Sequence, residues 1–165
     1  MGKIRLGNNL AVAVSDAGDG PPVLLLHGLA CGKRMWFHQI RALRRRFRVV
    51  AYDLRGHGET DAPHSATDYS AAHLARDLVG VLDALNIERA AIVGFSLGGG
   101  PALALAASKP ERVSRLVLAD VGAPGGEGAR PGRRDSRHLP NQVRRLSRIQ
   151  PGKSRGMARS GRRIF

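Results

Sequence analysis

The 165-residue chain carries 27 Lys/Arg against 13 Asp/Glu, 42% hydrophobic residues and a single cysteine, Cys31. That length suits one domain and that apolar content suits a packed core, which argues against a fibrous or wholly disordered chain. One cysteine excludes an internal disulfide, and a reducing, cytoplasmic setting fits. The charge is uneven. Residues 1–124 hold 15 Lys/Arg against 11 Asp/Glu, whereas residues 125–165 hold 12 against 2. Most of the formal net charge of +14 therefore sits in the last quarter. The start, Met1-Gly2-Lys3-Ile4-Arg5, lacks the apolar core of a signal peptide. No apolar run approaches the length of a membrane span.

In chain order, extended stretches near residues 3–6 and 10–15 flank Gly7-Asn8-Asn9, a turn tolerant of positive φ, and predict a hairpin. Residues 16–22 form a Gly/Pro loop. The run Val23-Leu24-Leu25-Leu26 is continuously apolar, as a strand covered on both faces should be. Residues 33–45 read as a helix, with Trp36, Ile40 and Leu43 in one stripe that Phe47 continues. A strand follows at 47–52.

Residues 70–85 make the clearest helix, striped by Leu74, Leu78, Val81, Leu82 and Leu85 and closed by Asn86 as C-cap. A strand at 90–93 precedes Gly94-Phe95-Ser96-Leu97-Gly98, and a nearly all-apolar, buried helix follows at 101–107. Residues 115–119 give a further strand. Strands alternating with helices predict a mainly parallel sheet with helices on both faces.

Beyond Pro124 the text changes to 11 arginines with scattered Gly, Ser and Pro. Such a segment cannot bury enough apolar surface to offset its chain entropy, so residues 125–165 are expected to be a disordered basic tail. Its arginines would attract phosphates, but a lone terminal aromatic, Phe165, gives no stacking platform, so nucleic-acid binding is disfavoured. An out-of-frame, truncated or mis-ended gene would produce text of this kind.

The chemistry centres on Ser96. A β-branched strand running into Gly-x-Ser-x-Gly and then a helix of small residues has the pattern of a nucleophile elbow. Gly94 and Gly98 leave room for the tight turn, and the following helix directs its N-terminal amides and dipole toward a forming oxyanion.

Three motifs in this order resemble the α/β-hydrolase family: Leu26-His27-Gly28-Leu29, Asp53-Leu54-Arg55-Gly56-His57-Gly58, and the elbow itself. The likeness covers roughly residues 10–123 and lies toward the small bacterial lactonases, esterases and carbon–carbon-bond hydrolases. It implies an α/β sheet of the hydrolase type, incomplete after its sixth strand, over residues 1–124. It implies Ser96 as nucleophile and the amides of Leu97 and Leu29 as the oxyanion hole. The substrate would be a small ester, lactone or related carbonyl compound, processed through an acyl-enzyme with no metal, cofactor or membrane. Serine at the elbow argues against the haloalkane dehalogenases and epoxide hydrolases of this fold, which attack with a carboxylate.

His27 and Gly28 support the motif, with His27 expected as a buried, hydrogen-bonded side chain. Asp53, Arg55 and His57 are expected to shape a loop. His38, His64 and His73 have no motif around them and are expected on surfaces. A triad also needs an acid and a histidine after the serine. Asp120, at the end of the sixth strand, is the candidate acid. His138 is the one histidine after Ser96, and no strand or Gly-His signature precedes it. The chain is therefore expected to be an inactive hydrolase piece, with a non-catalytic fragment or a basic binding module as the alternatives.

Overall fold

A computed structural model describes residues 2–122. The expected tail, residues 125–165, and His138 within it lie outside the described residues. Six strands form one sheet: β1 (Gly2–Arg5), β2 (Ala11–Ala17), β3 (Pro22–Leu26), β4 (Arg48–Tyr52), β5 (Ala90–Phe95) and β6 (Val113–Ala119). Their spatial order is β1-β2-β4-β3-β5-β6. The four strands from β4 to β6 pair in parallel, while β1–β2 and β2–β4 are antiparallel. The expected hairpin is thus an antiparallel extension of a parallel core.

Among the described residues three α-helices connect the strands: α1 (Phe37–Leu43), α2 (Ala71–Ala84) and α3 (Gly99–Ser108). The first departs from its predicted span. Residues Lys33–Trp36 form a 3-10 turn, and regular α-helix begins only at Phe37. Lys33 is buried and its amide is taken by a side chain, so this end of the segment is fixed by tertiary contacts rather than by helical spacing.

Alternation along the central strands builds two cores. Leu24, Leu26, Val50, Tyr52 and Ile92 face one side, where Leu74, Leu78, Val81 and Leu82 of α2 and Ala102 and Leu105 of α3 cover them. Val23, Leu25, Val49 and Ala51 face the other side, where Trp36, Ile40, Leu43 and Phe47 cover them. Both faces being covered, these strands read as continuous apolar runs. The α2 terminus is a Schellman closure. Asn86 takes φ 53° and its N–H donates to Asp83 O, while Ile87 N–H donates to Leu82 O.

Parallel pairing brings the C-terminal ends of β3, β4, β5 and β6 to one edge of the sheet, and the loops leaving that edge carry all three motifs. Among the described residues β6 has no partner on its outer side, and its Val117 is exposed.

Candidate functional site

Ser96 follows β5, which lies between β3 and β6. It adopts φ 48°, a left-handed conformation that a residue with a Cβ holds only when its surroundings compel it. The chain then enters a 3-10 turn, Ser96–Gly98, and runs directly into α3. Crowding explains both flanking glycines. A Cβ on Gly94 would stand 2.6 Å from Gly98 O, and one on Gly98 would stand 2.6 Å from Leu26 O and 2.8 Å from His27 O. The elbow is therefore pressed against the end of β3, and any larger residue would push it away.

The loop after β3 closes on the serine. A Cβ placed on Gly28 would lie 2.9 Å from the Phe95 ring and 3.3 Å from Ser96 Cβ. Leu29 comes next, with its side chain 71% exposed. Leu97 is partly buried and packs against the larger core. Ser96 itself is half-buried. The structure thus brings Gly28 against Ser96, with Leu29 and Leu97 the next residues along the two segments.

His27 is fully buried beside this loop. Its Nδ1–H donates to Gly28 O at 2.8 Å, and its Nε2 accepts the Leu54 N–H at 2.9 Å. Both ring nitrogens are occupied in the neutral form, which fixes the tautomer. Burial pushes its pKa down, partly offset by the Gly28 carbonyl, and the nearby His57 pushes the same way as burial. His27 is therefore a buried side chain with both ring nitrogens hydrogen-bonded.

Asp53 is a buried hub. Its carboxylate accepts the Lys33 amide at 2.6 Å, the Lys33 ammonium at 2.8 Å and the Glu59 amide at 3.1 Å. Burial alone would raise its pKa, but the bonds from Lys33 and Glu59 outweigh burial and hold it below the usual range. Arg55 forms a two-pronged pair with buried Asp77, and its third contact is Asp68 O at 2.6 Å. This segment shapes loops, as expected. Neither Lys33 nor Asp77 is identifiable from sequence as its partner, because each lies 20 residues or more from the carboxylate or guanidinium it meets.

Asp120 directly follows β6, whose last residue, Ala119, pairs with Phe95, the residue before Ser96. It too adopts a left-handed φ, 54°, and is exposed. Val121 then packs on Gly99 at the start of α3. Among the described residues no histidine hydrogen-bonds to the Ser96 hydroxyl. His57 lies 5.0 Å from His27, ring centre to ring centre, with Nδ1 at 3.1 Å from Arg55 O. His38 and His64 are exposed, and His73 is half-buried and bonded to Ser70.

Two clefts lie elsewhere. One of about 910 Å³ runs between the β1–β2 turn and α2, and one of about 700 Å³ runs between β2 and α1. Neither is lined by Ser96 or Leu29. Among the described residues no group of three or more His, Cys, Asp or Glu side chains is placed to hold a metal ion. No described helix is long and apolar enough to cross a membrane.

The alpha/beta hydrolase fold family model matches residues 21–152. That match runs past residue 123, where the motif pattern was expected to stop. Epoxide hydrolase 3 of Siraitia grosvenorii is 41% identical over 115 residues, covering 69% of this chain and 36% of that protein. 3-Oxoadipate enol-lactonase 1 of Acinetobacter baylyi is 35% identical over 119 residues, covering 72% of this chain and 44% of that protein. Among solved structures, an esterase from Exiguobacterium antarcticum superposes with a TM-score of 0.70 at 34% identity, covering 75% of this chain and 47% of that one. The chain therefore spans between about a third and a half of these relatives' length. A match over most of the chain, on a sheet with the elbow and its neighbouring loop in place, shows that the chain belongs to the α/β hydrolase family.

Proposed function

We propose that this chain carries the nucleophile side of a serine hydrolase acting on a small ester, lactone or related carbonyl substrate. Ser96 is the attacking residue, and the amides of Leu97 and Leu29 receive the oxyanion. The observation that carries this reading is the left-handed φ of Ser96 at the β5–α3 junction, held by close contact at Gly94 and Gly98. Strain of this kind persists where the surroundings enforce it and gathers at reactive sites. A serine there favours acyl transfer over the epoxide opening named for one relative, because a hydroxyl activated by a base forms an acyl-enzyme. Asp120, directly after β6 as Ser96 is directly after the neighbouring β5, is the candidate orienting acid.

Among the described residues no general base is in place beside Ser96. His27 has both ring nitrogens engaged, and the other described histidines do not bond to Ser96. A serine without a base stays protonated and weakly nucleophilic. Removing one triad member costs several powers of ten in kcat. The 165-residue chain is therefore expected to hydrolyse p-nitrophenyl acetate no faster than its Ser96→Ala variant. Added imidazole, acting as a soluble base, is expected to create a difference between the two. A Ser96-dependent burst without imidazole would show that a base is already present, with His138 the first to test.

A further inference from the structure

We propose that Lys33 is a positioning residue, clamping the loop of residues 28–32 so that the Leu29 amide stays beside Ser96. The inference rests on the functional reading above, which gives that amide its role. The loop needs holding. Ala30 sits at φ 56°, a left-handed position for a residue with a Cβ, and so would relax if released. Local bonds are few: Cys31 N–H to Gly28 O at 3.2 Å inside the loop, and Met35 N–H to Gly32 O at 3.0 Å at its end.

Both ends of the loop are tied to the same partner, the segment after β4. At the first end, His27 accepts the Leu54 amide. At the second end, Lys33 gives its amide to Asp53 Oδ1 and its ammonium to Asp53 Oδ2 at 2.8 Å and Glu59 Oε2 at 2.6 Å. Lys33 is only 3% exposed, yet Glu59 is 60% exposed. A buried lysine is costly unless paired, and here two carboxylates hold it at the point where the strained loop ends. Burial would lower its pKa, but these two partners together keep it raised and charged. The ammonium is a strut between the loop and the segment, and its removal would leave this end held by the residue-33 amide alone, while His27 still holds the other.

The test uses the full chain with Lys33→Met, read by hydrogen exchange at Cys31 and Met35 and by reaction of the exposed Cys31 thiol with a disulfide reagent. Local opening predicts exchange and labelling at these positions accelerated about tenfold more than exchange at Leu78 and Ile92, which reports the global loss from the unpaired Asp53 carboxylate. Lys33→Arg, which retains a cation, should bring both readouts back to within about threefold of the parent chain. Should Lys33→Met fail to fold, Glu59→Gln decides, since its site is largely exposed; about threefold faster loop exchange is expected there. Unchanged loop exchange, acceleration spread evenly through the sheet, or no recovery with Lys33→Arg would overturn the proposal. None of these readouts uses Ser96 chemistry. A Ser96 that never acylates would sink the functional reading alone, and an unaffected loop would sink the clamp alone.

Discussion

Replacing Asp77 with Ala is expected to destabilise the chain by about 3–5 kcal/mol, among the largest losses from one substitution outside the site. Asp77 lies 1% exposed on α2, and Arg55 is 5% exposed on the loop after β4. Their two-pronged pairing also involves Asn8, whose side-chain amide donates to Asp77 Oδ1 at 3.1 Å. One carboxylate thus joins α2, the loop after β4 and the β1–β2 turn. Without it the Arg55 cation stays buried with only the Asp68 carbonyl as partner. The fully buried Tyr52 hydroxyl has no partner among the described residues, and burial and then the Asp77 charge push its pKa well up. Chemical denaturation measures the loss. Replacing Arg55 and Asp77 together by apolar residues of similar volume should recover most of it, because no charge is then stranded. A single-variant loss under about 1 kcal/mol would mean that the pair behaves as a solvated surface contact.

His27→Ala is expected to cost about 3 kcal/mol or more, combining an unpaired buried Leu54 amide with the cavity left by the ring. It should also change the pH dependence of stability. Burial first, then the His57 charge, lower the folded pKa of His27 below 6.5, against the pull of the Gly28 carbonyl. The unfolded ring binds its proton near the ordinary value, so between the two values the unfolded state holds more protons and stability rises with pH. The contribution is complete above about 6.5 and is lost as pH falls from there to the lowered folded value. Melting followed from about pH 7.5 down to about pH 5.5 should therefore show a steeper decline for the parent chain than for His27→Ala. Equal slopes would mean that His27 is not held neutral by the fold.

The placement of most elements was legible because local pattern and tertiary environment agree. The β5–Ser96–α3 junction could be read from Gly94, Ser96 and Gly98, since each glycine marks a contact that a Cβ would violate. Asn86 was readable as a helix stop for the same reason, a left-handed residue at a required position. The buried fate of His27 followed from its place at the end of an apolar strand. What could not be read is the pairing of charges across loops. Asp53 looks like any loop carboxylate until the parallel register of β3 and β4 brings Lys33 onto it. Asp77 reads as a polar position in a helix until the loop after β4 delivers Arg55. The 3-10 entry to α1 was hidden likewise, because Asp53 captures the Lys33 amide. The strain at Ala30 carries no sequence signal, as alanine is not a residue selected for positive φ.

The central claim is that Ser96 sits in a preformed elbow with no base among the described residues. Peptide mapping of the chain after treatment with p-nitrophenyl acetate and imidazole tests it most directly. The account predicts an acetyl group on Ser96, formed only with imidazole and lost in Ser96→Ala, and reduced in Gly98→Val, whose side chain would press the elbow off the end of β3. Acetylation confined to lysines, with Ser96 unmodified at every imidazole concentration, would contradict it.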